Sequence, residues 1–172
     1  RLNVGGPAIH AILLTARMNE RGIQTLLVCG REGPREGNME DLAAAHGVVP
    51  VRITELGREI RWWDDLTAFW KLYRLLRRER PRILHTHTAK AGTLGRLAGW
   101  LAGVPVIIHT FHGHVFQGYF PPWKTRLFIG AERAMSRIST AIVTLSPRLK
   151  EDLVKHGIAP QEKIRIVPLG LA

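Results

Sequence analysis

Residues 81–118 read PRILHTHTAKAGTLGRLAGWLAGVPVIIHTFHGHVFQG, and the fold follows from how this stretch is parsed. Arg82–His87 is a short strand, Ala91–Ala102 a Gly-rich helix and Pro105–Thr110 a second apolar strand, with an aromatic, His-rich loop behind it. Strand, helix and strand in so short a span imply parallel pairing. His85, His87, His109, His112 and His114 all fall here, out of 8 histidines in the chain. Between Arg80 and Ala131 there is no Asp or Glu, while Arg80, Arg82, Lys90, Arg96, Lys124 and Arg126 are present. Imidazoles, cations and glycines without a local carboxylate suit an anionic ligand such as a phosphorylated sugar, and suit a carboxylate-driven hydrolase poorly.

Working outward, Gly5-Gly6-Pro7 opens an amphipathic helix with apolar positions Ile9, Ile12, Leu13, Ala16 and Met18, and Pro7 fits its first turn. Ile23–Cys29 reads as a buried strand, Gly30–Gly37 as a loop, Met39–His46 as a short helix and Val48–Ile53 as a strand. Asp64–Glu79 is a helix with Leu66, Phe69, Trp70, Tyr73 and Leu76 on one face and Lys71, Arg74, Arg77 and Arg78 mostly on the other, a core helix with a solvated basic side. Trp123–Ile138 is a helix, Thr140–Leu145 a strand and Ser146–His156 a helix capped by Ser146 and Gly157. Lys163–Val167 is a last strand. The alternation predicts an α/β fold, a Rossmann-like doubly wound parallel sheet covered on both faces. No strand precedes the first Gly-rich turn, so a strand of about five to seven residues is expected upstream, and the chain reads as a fragment.

The 172 residues suffice for one substantial core. With 25 Lys+Arg against 14 Asp+Glu, the formal charge of +11 favours anionic partners: nucleic acid, nucleotide-sugars or an acidic lipid surface. Cys29 is the single cysteine, so no disulfide forms within the chain, which fits a reducing compartment. The longest stretch free of polar side chains, Leu97–Ile108, is too short to span a bilayer, and no secretory signal opens the chain.

Taken together, GGPAIHAILLTARMNERG (5–22), the 80–113 stretch, TLSPRLKEDLVKHGI (144–158) and KIRIVPLG (163–170) resemble the N-terminal domain of the retaining glycosyltransferases of family 4, two-domain enzymes of the GT-B fold. The resemblance covers almost the whole chain. It implies a Rossmann-like domain over residues 1–167 that holds the acceptor, with 168–172 as the start of the interdomain linker. The donor domain, with its spaced pair of glutamates, would lie beyond, so this chain holds half of an active site and is expected to be inactive alone.

Gly5 and Gly6 precede a helix N-terminus, where backbone N–H groups and the macrodipole favour an anion. The resemblance implies that they touch the donor diphosphate and shape the acceptor pocket. His112 and Gly113 follow a parallel strand, at the end where open α/β sheets bind ligands. The resemblance implies that His112 contacts the transferred sugar near its anomeric centre. His87, Thr88 and Lys90 are candidates for the acceptor or a phosphate. His85 and His109 are expected to be packed and hydrogen-bonded. Gly95, Gly99 and Gly103 recur every four residues, which predicts close packing on the sheet, while Gly92 and Thr93 could also bind an anion. Phe116–Arg126, aromatic and basic, could meet a membrane surface or act as a lid.

The reading is the acceptor-side domain of a cytoplasmic, nucleotide-sugar-dependent transferase, peripheral at the membrane, with a sugar or lipid-linked acceptor and without cofactor, metal or nucleic acid. Its alternatives are a basic nucleic-acid-binding module, disfavoured by scattered arginines and the lack of a binding motif, and a metal-dependent hydrolase built on the histidines. A nucleotide-sugar epimerase of the same fold fits HTFHG with SPRLKEDL less well.

Overall fold

The computed structural model describes residues 1–33, 36–113 and 121–168. The chain divides into two compact units, Arg1–Leu72 and Tyr73–Ala172.

In the first unit, α1 (Gly6–Glu20) carries its proline in the first turn and buries Ala8, Ile12, Thr15 and Ala16. Leu2, Ala8, Ile12 and Ala16 close a small core with Cys29, Ala43 and Val48. The strand β1 (Val28–Gly30) pairs in parallel with β2 (Val51–Ile53), and α2 (Glu40–Ala45) lies between them in sequence. Both strands are shorter than their apolar runs. Ile23 and Leu26, placed in a buried strand on composition, are about half exposed. A β-branched run forms a strand only where a neighbour takes its hydrogen bonds, and pairing with β2 begins at Val28. Before α1, Asn3 bridges Asn38 in antiparallel fashion.

The helix α3 (Trp62–Glu79) begins in the first unit and ends in the second. Its buried side is Ala68, Leu72 and Leu76. That corrects the expected apolar face: Leu66 and Trp70 are 49% and 48% exposed, and Trp62 and Trp63 are exposed above 80%. The i, i+3, i+4 rule locates an apolar stripe, but Ala68, which the rule passed over, is the residue small enough for close approach.

The second unit is a four-stranded parallel sheet in the order β3-β4-β5-β6. Its strands are β3 (Ile83–His87), β4 (Val106–Phe111), β5 (Ala141–Thr144) and β6 (Ile164–Ile166), joined by α4 (Ala89–Ala102), α5 (Pro122–Ile138) and α6 (Pro147–Lys155). A sheet that grows in one direction through right-handed crossovers carries all its connecting helices on one face. The packing agrees. Alternate residues Leu84, Thr86, Ile107 and His109 meet α4, while Phe111, Ile142 and Ile164 form a core with Leu149 and Leu153 of α6 and Ile129 of α5. Ser146 caps α6 by accepting from the Leu149 N–H at 3.3 Å, and Gly157 ends it at φ +60°.

The glycines of α4 explain its close seat on the sheet, with one change from the sequence reading. A Cβ on Gly92 would overlap the His109 ring, one on Gly95 would stand 3.0 Å from Thr86 Cγ2, and one on Gly99 would overlap Leu84. The packing face is therefore Gly92, Gly95 and Gly99. Gly103 touches nothing there; it is the left-handed residue at φ +77° that ends α4, its N–H returning to the Gly99 and Trp100 carbonyls. Gly92 thus packs on the sheet, and its N–H donates to the Thr88 carbonyl at 2.9 Å.

Candidate functional site

In a β-strand alternate residues share a face, and the period-2 spacing of the histidines sorts them into two environments. His85 and His87 on β3 and Thr110 on β4 face away from α4, with His112 one residue past the end of β4 continuing that parity. Their hydrogen bonds form a row. His85 Nε2 lies 2.7 Å from Thr110 Oγ1, and His87 Nδ1 lies 2.9 Å from His112 Nε2. The ring centroids of His85 and His87 are 4.3 Å apart and those of His87 and His112 5.1 Å apart. The row ends at the carboxyl rim of the sheet, the edge where open α/β sheets present ligand-binding loops.

Thr88, the residue after His87, caps α4 with φ +64° and ψ +159°. A β-branched residue in this region is strained by about 1–3 kcal/mol, and such strain gathers where the backbone must be held for function. Thr88 is exposed, as is Gly113, and Lys90 is half-buried in the first turn of α4. The sheet's own geometry thus brings together His87, Thr88, His112 and Gly113. His114 and residues 116–120 lie outside the described residues; from the rest of that aromatic-basic segment, Trp123 is exposed, with Lys124 Nζ 5.3 Å from its ring.

His109, on the opposite face, is buried and places Nδ1 2.9 Å from Thr86 Oγ1. The Thr86 hydroxyl also lies 3.2 Å from the Ile108 carbonyl, which can only accept. The hydroxyl therefore gives its hydrogen to Ile108 and receives one from His109 Nδ1, which sets the tautomer. Burial, reinforced by Arg96 and the three histidines across the sheet, holds this imidazole well below its ordinary pKa. It is a neutral structural residue, as its apolar strand foretold.

The cation set read from sequence does not assemble into one pocket. Arg80 and Arg82 precede β3 and sit at the amino end of the strand, about 13 Å of strand length from His87. Arg96 is fully buried: Nη2 donates to Glu132 Oε2 at 2.8 Å and Nε to the Gly92 carbonyl at 3.0 Å. Burial lowers the Arg96 pKa and raises that of Glu132, each partly offset by the partner. Glu132 stands one residue beyond the acid-free stretch, so counting carboxylates along the chain missed the one that folds back beneath it. Lys90, Lys124 and Arg126 belong to helices that begin at the carboxyl rim.

Gly5 and Gly6 lie in the first unit, at the start of α1. Pro7 has no N–H and that of Ala8 donates to the Gly5 carbonyl at 3.1 Å, so neither is a donor to an anion at this turn. In the same unit a charged cleft of about 730 Å³ opens beyond β1 and β2, lined by Arg31, Glu32, Glu36, Glu55 and Arg58 among others. Neither its residues nor Thr110 were singled out from sequence, whereas Thr88 was. Thr110 was legible in principle, two residues before His112 and on the same strand face.

Among the described residues no group of three or more His, Cys, Asp or Glu side chains is arranged to hold a metal ion. In the row, His87 Nδ1 and His112 Nε2 address each other and His85 Nε2 addresses Thr110. No helix among them is long and apolar enough to cross a membrane.

The family described as "Glycosyl transferase 4-like domain" matches residues 5–170. An Escherichia coli UDP-Gal:alpha-D-GlcNAc-diphosphoundecaprenol alpha-1,3-galactosyltransferase is 32% identical over 145 residues, covering 84% of this chain and 36% of that protein. The Staphylococcus aureus capsular polysaccharide biosynthesis glycosyltransferase CapM is 27% identical over 139 residues, 79% of this chain and 34% of that one. The chain thus spans about a third of the length of these curated relatives. Among solved structures, Anabaena HepE in complex with UDP and glucose superposes with TM-score 0.70 at 14% identity, over 99% of this chain and 42% of that one. Acinetobacter baumannii MurG gives 0.63 at 14%, over 98% and 43%. These likenesses show the Rossmann-like GT-B fold.

Proposed function

The chain belongs to the family of glycosyl transferase 4-like domains, and we propose that it is the acceptor-side part of an enzyme that moves a sugar from a nucleotide-sugar to an acceptor hydroxyl with retention at the anomeric carbon. The observation that carries this reading is the His87–His112 pair at the carboxyl rim, beside strained Thr88. His112 would contact the transferred sugar, and His87, Thr88, Lys90 and Gly113 would bind phosphate or acceptor; Gly5 and Gly6, in the first unit, would touch the donor diphosphate. Relatives named for diphosphoundecaprenol-linked acceptors support a sugar on a polyprenyl diphosphate as the acceptor. Positioning and charge stabilisation at the leaving diphosphate would supply most of the rate. No metal or cofactor enters this reading, and the donor would be held by a further domain, without which the chain would not catalyse transfer. Exposed Trp123 with the net positive charge supports contact with the anionic inner face of the membrane.

One preparation tests the reading: the full-length enzyme, radiolabelled UDP-sugars and polyprenyl-diphosphate sugar acceptors in anionic vesicles. The expected results are transfer with retained configuration, cosedimentation with the vesicles, and a loss of about 100-fold or more on His112→Ala. Undiminished activity in that variant overturns the site, and an inverted product overturns retention.

A further inference from the structure

We propose that His87 is a positioning residue for His112, and that the two rings act as one proton-sharing unit rather than as two independent histidines. This rests on the proposed role of His112. A hydrogen bond between two ring nitrogens 2.9 Å apart contains one hydrogen. Either His87 Nδ1–H donates to His112 Nε2, or the reverse, and a first positive charge leaves the bond in place. A second proton would set two N–H groups against each other and break the contact. While the contact holds, His112 has Nε2 engaged and its ring orientation fixed from β3, across the strand pairing of His87 with Thr110.

The surroundings enforce the limit. On β3, His85 stacks against His87 and is tied to Thr110. On β4, His109 lies across the sheet, buried and neutral. From α4, Arg96 is committed to Glu132, and Lys90 is a further cation in the first turn. The charged side chains that residues 80–113 themselves contribute are arginine and lysine. An incoming diphosphate would favour the singly protonated pair, the form in which the contact survives.

The test uses the full-length enzyme. His87→Ala is expected to lower kcat by about 10- to 100-fold with the donor KM within about threefold, because a misplaced group costs rate more than ground-state binding. His87→Asn sets an amide near the place of Nδ1 and is expected to recover kcat to within about fivefold of wild type. The acid limb of its kcat–pH profile should move to lower pH, because an amide oxygen accepts from His112 Nε2–H in both charge states. The inference is overturned if His87→Ala alters KM and not kcat, if His87→Asn is no better than His87→Ala, or if the acid limb stays in place. Full activity in His112→Ala would instead remove the reading of the site itself. An inactive His112→Ala beside a fully active His87→Ala removes only the present inference.

Discussion

The two faces of the β3–β4 pair carry the same residue types to opposite ends. Toward α4, Thr86 and His109 are pressed against Gly92 and Gly95, and the imidazole is buried, neutral and of fixed tautomer. On the other face, one residue along each strand, half-buried His85 and His87 and buried Thr110 line up with half-buried His112 in a row that reaches the rim. What separates a sealed histidine from a rim histidine here is strand parity and the neighbour it faces, since both faces carry histidine and threonine. Glycine closes the face toward α4, where the helix sits directly on Thr86 and His109.

That contrast can be broken most severely beneath α4. Glu132→Ala leaves the Arg96 guanidinium buried without its counter-charge and is expected to cost about 3–5 kcal/mol in urea unfolding, whereas Arg96→Met with Glu132→Leu should be close to neutral. If the single change were harmless, the pair would not be what seats α4 on α5. A smaller effect is expected of Gly92→Ala, about 1–3 kcal/mol, because the His109 ring has no room to yield. Gly99→Ala should cost less, since its overlap falls on the flexible end of Leu84. Equal losses at the two positions would mean that ring packing is not what closes this face.

The gentlest test uses pH. His109 has a folded-state pKa below its unfolded one, so its contribution is complete above the unfolded value of about 6.5 and is lost as pH falls toward the folded value. Over that acid window the stability of the wild type should fall by up to about 1.4 kcal/mol per pH unit from this group. His109→Gln should flatten the slope of urea midpoint against pH by that one proton. An unchanged slope would show that His109 gains its proton freely in the folded state and is not sealed.

Much of this was legible in the chain itself. The apolar runs, the proline and serine at helix starts and the glycines at helix ends mark the α/β alternation, because local backbone preference and periodicity are properties of neighbours in sequence. The H-x-H spacing placed His85 and His87 on one face for the same reason, and the position of His112 past a parallel strand pointed to the ligand-binding edge. Folding alone decided the rest. Glu132 neutralises Arg96 from 36 residues away, Gly92 replaces Gly103 on the packing face, the tryptophans of α3 turn outward, and His87 meets His112. Each of these depends on which element packs against which, and a linear order of residues does not encode distance across a sheet.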